Sequence, residues 1–206
     1  MSTLIGIGFS QNPSPEQAFK EAAIDVKSQM NIPAVDLAMI FFTSGYAQPK
    51  AIDPVNRILQ PAQLIGSMTP AIILHDRIES RGVAILGISS DEIKVGTAMF
   101  DHLSLANMRE AGLRVAREAV THATASQRHG FLALMNSVNA NHTPFLFGLQ
   151  EALGRAFTFC GGFSCDEKLG RGALFHKETL SSDGILGMIF SGSAQLAVSA
   201  RHGLKP

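Results

Sequence analysis

The sequence predicts an α/β domain of two pseudo-symmetric β-α-β-α-β-β-β repeats, whose mixed sheets and covering helices form an α-β-β-α sandwich. Three observations carry this. Apolar runs of strand length without alternation, at residues 37–42 and 131–135, read as strands buried on both faces. Around them stand segments with the 3.6-residue apolar period of helices lying on a sheet. The order of elements then recurs. A shift of 94 carries Phe19 to Leu113, Ala22 to Ala116, Val26 to Val120, Leu37 to Phe131, Ile52 to Leu146, Val55 to Leu149 and Leu59 to Leu153. One domain over residues 1–206 is expected, with repeats at about 4–92 and 93–200.

In order, residues 4–9 read as a strand in which Gly6 and Gly8 admit a close backbone. Ser14 offers an N-cap, with Pro15 at the first helical position and Gln17 three residues on. Phe19, Ala22, Ala23, Val26 and Met30 share one face of the helix that follows, and Pro33 stops it. The strand 37–42 ends in Thr43-Ser44-Gly45. A short helix carries Ile52, Val55, Ile58 and Leu59, and Pro61 ends it. Strand 62–67 leads into a first glycine turn, Gly66-Ser67-Met68-Thr69, and 72–74 is expected to pair with 83–86 as a hairpin. A strand at 92–99 opens the second repeat. It continues with a helix at 105–122, the strand 131–135, a polar turn at 136–141, and a short helix with Leu146, Leu149 and Leu153 inward. Strand 156–160 leads into the second turn, Gly161-Gly162-Phe163-Ser164. Residues 173–176 and 185–190 are expected to pair, and 194–200 to close the domain.

Composition narrows the function. Hydrophobic residues make up 46% and charged residues 17%, which suits a sizeable core and argues against disorder. Lys plus Arg balance Asp plus Glu at 17 each, with no basic block, so nucleic acid is not an expected partner. No window approaches the ~18 apolar residues of a membrane span, and the start has no basic n-region. A cytoplasmic protein is expected, with no membrane partner. Cys160 and Cys165 are the only cysteines, and their spacing lacks the second pair of a zinc site. None of the seven histidines stand at i,i+4, so no metal is expected. Gly6-x-Gly8 lacks the third glycine of a dinucleotide fingerprint, and no cofactor is expected.

The start, Gly6-Ile7-Gly8-Phe9-Ser10 followed by Pro15-Glu16-Gln17-Ala18, the strand 37–42, Gly66-Ser67-Met68-Thr69, Gly161-Gly162-Phe163-Ser164-Cys165-Asp166 and the closing His202-Gly203-Leu204-Lys205-Pro206 together resemble the N-terminal half of the FIST domain. The two glycine turns are like that family's "GCST" and "GG…D" turns. The resemblance implies an intracellular sensory domain of signal-transduction proteins that binds small ligands such as amino acids. The family's presence in some F-box proteins implies the alternative of a protein-interaction scaffold. Family members usually carry Ala-Gly-Glu after the first Ser-Thr, whereas Pro70-Ala71-Ile72 follow Thr69 here, which removes a carboxylate from the first turn. Because the likeness is to one half of a domain, either a homodimer or a C-terminal FIST half is the expected partner, besides the ligand.

Open α/β sheets present ligand-binding groups at the carboxyl ends of their strands. The candidates are Thr43 and Ser44; Asn136, Ser137, Asn139 and Asn141; Gly66, Ser67 and Thr69; and Gly161, Gly162, Ser164 and Asp166. Exposed N–H groups at the glycines suit a carboxylate, and Asp166 suits a ligand ammonium. The same residue types are also what tight turns require. No catalytic residue is expected. A thiol-dependent enzyme would use Cys160 or Cys165 with His142 or His176, but Cys160 sits in an apolar run that makes a thiol inert.

Overall fold

The apolar runs form strands and the periodic segments form helices. The computed structural model of the chain describes residues 2–136 and 142–199. Its first half comprises β1 (Thr3–Ser10), α1 (Pro15–Met30), β2 (Leu37–Phe42), α2 (Asp53–Leu59), β3 (Gln63–Met68), β4 (Ile72–Ile73), β5 (Ile78–Glu79) and β6 (Val83–Ser90). The second comprises β7 (Ile93–Phe100), α3 (Met108–His122), β8 (Arg128–Met135), α4 (Thr143–Leu153), β9 (Phe159–Phe163), β10 (Leu174–His176), β11 (Thr179–Ser181) and β12 (Ile185–Gly192).

Two mixed sheets stack. The first runs β1-β6-β2-β3-β10-β11 and the second β7-β12-β8-β9, while β4 and β5 pair only with each other. In each half one pair is parallel, β2 with β3 and β8 with β9. Helices α1 and α2 cover one face of the first sheet, where Phe19, Val26 and Leu59 pack on Ala38, Ile40 and Phe42. Helices α3 and α4 cover one face of the second, where Val115, Phe145 and Leu149 pack on Phe131, Ala133 and Met135. Leu37, Ile65, Leu174, Leu186 and Met188 are buried between the sheets. These layers are the α-β-β-α sandwich the sequence predicts. Close approach of α1 to β1 depends on glycine: a Cβ at position 8 would lie 1.9 Å from the Ala22 carbonyl oxygen.

Four expectations are corrected. First, 72–74 does not pair with 83–86. Ile72 and Ile73 pair with Glu79 and Ile78, and β6 instead joins β1 and β2. Likewise β10 pairs with β3 and β11, whereas β12 joins β7 and β8. As interior strands, β6 and β12 pair along most of their length on both sides, which satisfies more backbone groups than a short local hairpin would. Second, the shift that aligns the buried faces is 93, not 94. It carries Ala38, Ile40 and Phe42 to Phe131, Ala133 and Met135, all facing helices, whereas Leu37 faces the other sheet. Third, Leu146 is 45% exposed; Phe145 takes the inward place on α4. Fourth, Ser14 precedes α1 as its N-cap residue, but its hydroxyl makes no capping hydrogen bond.

Candidate functional site

The two glycine turns meet. Ser164, fully buried, sits just beyond β9, and its hydroxyl lies 2.8 Å from the Ala173 carbonyl oxygen and 3.2 Å from that of Met68 at the end of β3. The same oxygen accepts the Ala173 N–H at 3.0 Å. Met68 N–H donates to Ala173 O at 2.8 Å, and Cys165 N–H donates to Met68 O at 3.3 Å. Carboxyl ends of strands from both sheets are thereby stitched to one another.

Beside this junction lies a polar depression of about 670 Å³, with Ser44, Asp166, Glu167, Lys168 and Arg171 in its lining. Ser44 Oγ donates to Glu167 Oε2 at 3.0 Å. Asp166 Oδ1 accepts the N–H groups of Gly170 at 2.9 Å and Lys168 at 3.1 Å. The Gly170 N–H, followed by those of Arg171 and Lys168, holds the Asp166 carboxyl below the usual carboxylate range, which keeps it ionised. Two carboxylates, two cations and a hydroxyl thus share one concave surface, an arrangement able to bind a small ligand carrying both charges.

Other candidate residues are placed as follows. Thr43 is buried and its Oγ1 accepts the Gly82 N–H at 3.1 Å. Ser67, also buried, donates to Met68 O at 3.2 Å, and Thr69 to Ala71 O at 2.8 Å. Asn136 donates through Nδ2 to Ser181 O at 3.1 Å, while its Oδ1 is buried with no hydrogen-bond partner among the described residues. It lines a neighbouring cavity of about 340 Å³ with Met108 and Asp183. Ser137, Asn139 and Asn141 lie outside the described residues. Gly66 and Gly161 stand within β3 and β9 rather than at their turns. A Cβ on Gly161 would meet the Ala133 carbonyl oxygen at 2.0 Å, and one on Gly66 would lie 3.1 Å from the Phe175 Cβ; Gly162 has open space. Gly161 and Gly162 line a third, apolar cavity of about 280 Å³ with Ala133, Met135, Phe145 and Phe163.

Five candidates line these cavities: Gly161 and Gly162 the apolar one, Asn136 the neighbouring one, and Ser44 and Asp166 the polar one, whereas Thr43, Gly66, Ser67, Thr69 and Ser164 line none of the three. Sequence reasoning missed Glu167, Lys168 and Arg171. Their signal was the mixed run of charge directly after the second turn, in a chain otherwise poor in charge.

Neither thiol is poised for nucleophilic chemistry. Burial pushes both the Cys160 and the Cys165 thiol up, and Asp166 adds to the effect on Cys165. Cys160 Sγ points to Phe131 O at 3.7 Å, and His176 Nε2 lies 3.0 Å from Thr97 Oγ1. His142 packs against the Phe163 ring, tilted by 51°, with centroids 4.5 Å apart. Among the described residues no helix is long and apolar enough to cross a membrane.

The FIST N domain family model matches residues 36–206. The chain belongs to the FIST N domain family. FIST domains are sensory domains. No curated protein matches the FIST N chain. Among solved structures, one of cyanuric acid hydrolase from A. caulinodans is similar at 10% identity and a TM-score of 0.47, over 93% of this chain and 68% of that one. A second, "Cyanuric acid hydrolase: evolutionary innovation by structural concatenation", is similar at 10% identity and a TM-score of 0.43, over 94% and 69%. At those values neither likeness bears on function.

Proposed function

We propose that this chain is the ligand-binding part of a signal-transduction sensor, and that a small zwitterion of the amino-acid class occupies the polar depression. The observation that carries this is the convergence of Asp166 and Glu167 with Lys168 and Arg171 beside Ser44. The guanidinium of Arg171 suits an α-carboxylate, which it can bind in bidentate fashion. Glu167 suits an ammonium group, which would compete for the carboxylate now held by Ser44. The depression abuts the junction where Ser164 and Met68 join strands of both sheets, so ligand contacts there would favour one arrangement of that junction. The common strand order of the two halves supports their origin as copies of one unit.

A thermal-shift panel of amino acids, with their amides and deaminated analogues, tests this reading. A ligand that binds only the native state raises the melting temperature. We expect one amino-acid class to do so, its amides and deaminated analogues to fail, and Arg171→Ala and Glu167→Gln each to abolish the effect. No stabilisation by any amino acid, or stabilisation retained in both variants, would contradict it.

A further inference from the structure

One junction inside the chain is filled, and its counterpart is not. At the edge of the first sheet, β10 of the second half pairs antiparallel with β3, setting Leu174 opposite Ser67, Phe175 opposite Gly66 and His176 opposite Ile65. Phe175 is fully buried there, its ring 5.1 Å from that of Phe42 and 5.9 Å from that of Phe19. On the second sheet the corresponding edge is β9, and nothing among the described residues pairs with its outer side. Phe163 at its end is 45% exposed.

The hairpin that corresponds to β10–β11 is β4–β5. A shift of 102 carries the pairs Ile72–Glu79 and Ile73–Ile78 onto Leu174–Ser181 and Phe175–Leu180. Yet β4–β5 joins no sheet, and Ile73 and Ile78 are 81% and 70% exposed. A lone two-stranded hairpin is marginal in water, and an open sheet edge invites a strand.

Two further features fit the same pattern. The apolar cavity beside β9 is lined by Ala133, Met135 and Phe145, the residues that the shift of 93 pairs with Ile40, Phe42 and Ile52 of the core that holds Phe175. It is thus the place that a Phe175 counterpart would fill. On β1, Ile5 and Ile7 are exposed, whereas their counterparts on β7, Val95 and Thr97, are covered; Thr97 hydrogen-bonds Gln63 of β3.

We propose that a second copy of this chain completes the fold: the β4–β5 hairpin of each copy seats on the open β9 edge of the other. Transferring the β10–β3 register sets Ile73 of one copy opposite Gly161 of the other, Ile72 opposite Gly162 and Leu74 opposite Cys160. Ile73 enters the apolar cavity, and Ile5 and Ile7 lie over β9. Each copy offers one hairpin that joins no sheet and one β9 edge, so two copies related by a twofold axis satisfy both and leave neither for a third.

Sedimentation at micromolar concentration, with a cross-linking variant, tests this. The native chain should run at twice its 22.0 kDa mass. Ile73→Glu changes an exposed side chain, so it should keep the native circular dichroism while weakening the dimer at least about tenfold. In a variant carrying Leu74→Cys and Cys165→Ser, mild oxidation should link the introduced thiol to the native Cys160 of the other copy, and Cys160→Ser should abolish the link. A monomeric native chain would overturn the proposal. So would larger open assemblies, or a dimer indifferent to Ile73→Glu that forms no such link. The dimer depends on no ligand, so its failure would leave the sensor reading untouched.

Discussion

The carbonyl oxygen of Ala133 decides what position 161 accepts. A Cβ there would lie 2.0 Å away, so a larger residue must push β8 and β9 apart. Gly161→Val should lower stability by about 1–3 kcal/mol, whereas Gly162→Ala, facing open space, should change it by less than about 0.5 kcal/mol. Urea denaturation of the pair checks this, and equal losses would contradict it. His176 supplies a pH signature. Burial first, then the charges of Lys177 and His122, push its pKa from 6.5 down to about 4. Between those values the unfolded chain binds more protons than the folded one. Stability should therefore rise from about pH 4 to about pH 6.5 and level off above, by about 1–2 kcal/mol after allowing for the solvent that still reaches the ring. His176→Gln should flatten that rise in denaturation midpoints measured at the two ends.

At the scale of elements, the junction of β3, β9 and β10 hangs on Ser164. Its hydroxyl serves Met68 and Ala173, all in a buried place, and its loss leaves the Ala173 N–H without an acceptor. Ser164→Ala should cost about 1–3 kcal/mol, against under about 1 kcal/mol for Thr69→Ala, whose half-buried hydroxyl makes one local bond. Thermal unfolding of the two variants checks the order, and the reverse order would contradict the clamp. The elements themselves were legible because strand and helix periods differ. The faces were not. Strand 37–42 is apolar throughout, so nothing in it says whether Leu37 or Ala38 faces the helices, and a shift wrong by one residue moved every side chain across the sheet. Strand partners were equally hidden. Local order favours a hairpin between neighbours, but β6 instead stands between β1 and β2, and β12 between β7 and β8.

For the whole molecule, the layered sandwich followed from the alternation of buried strands with amphipathic helices, while the site followed only in part. Glycine and hydroxyl turns marked where strand ends converge, and those turns do meet at Ser164 and Met68. Most of the hydroxyls named there are spent on backbone partners, and the charges that rim the depression come from the loop beyond, where sequence carries no sign of which way a side chain points. A crystal structure with the most stabilising amino acid bound shows whether this depression holds a zwitterion. Ligand density should lie beside Ser44, with its carboxylate on Arg171 and its ammonium on Glu167. Density in the apolar cavity beside β9, or an empty depression at saturating ligand, would contradict it.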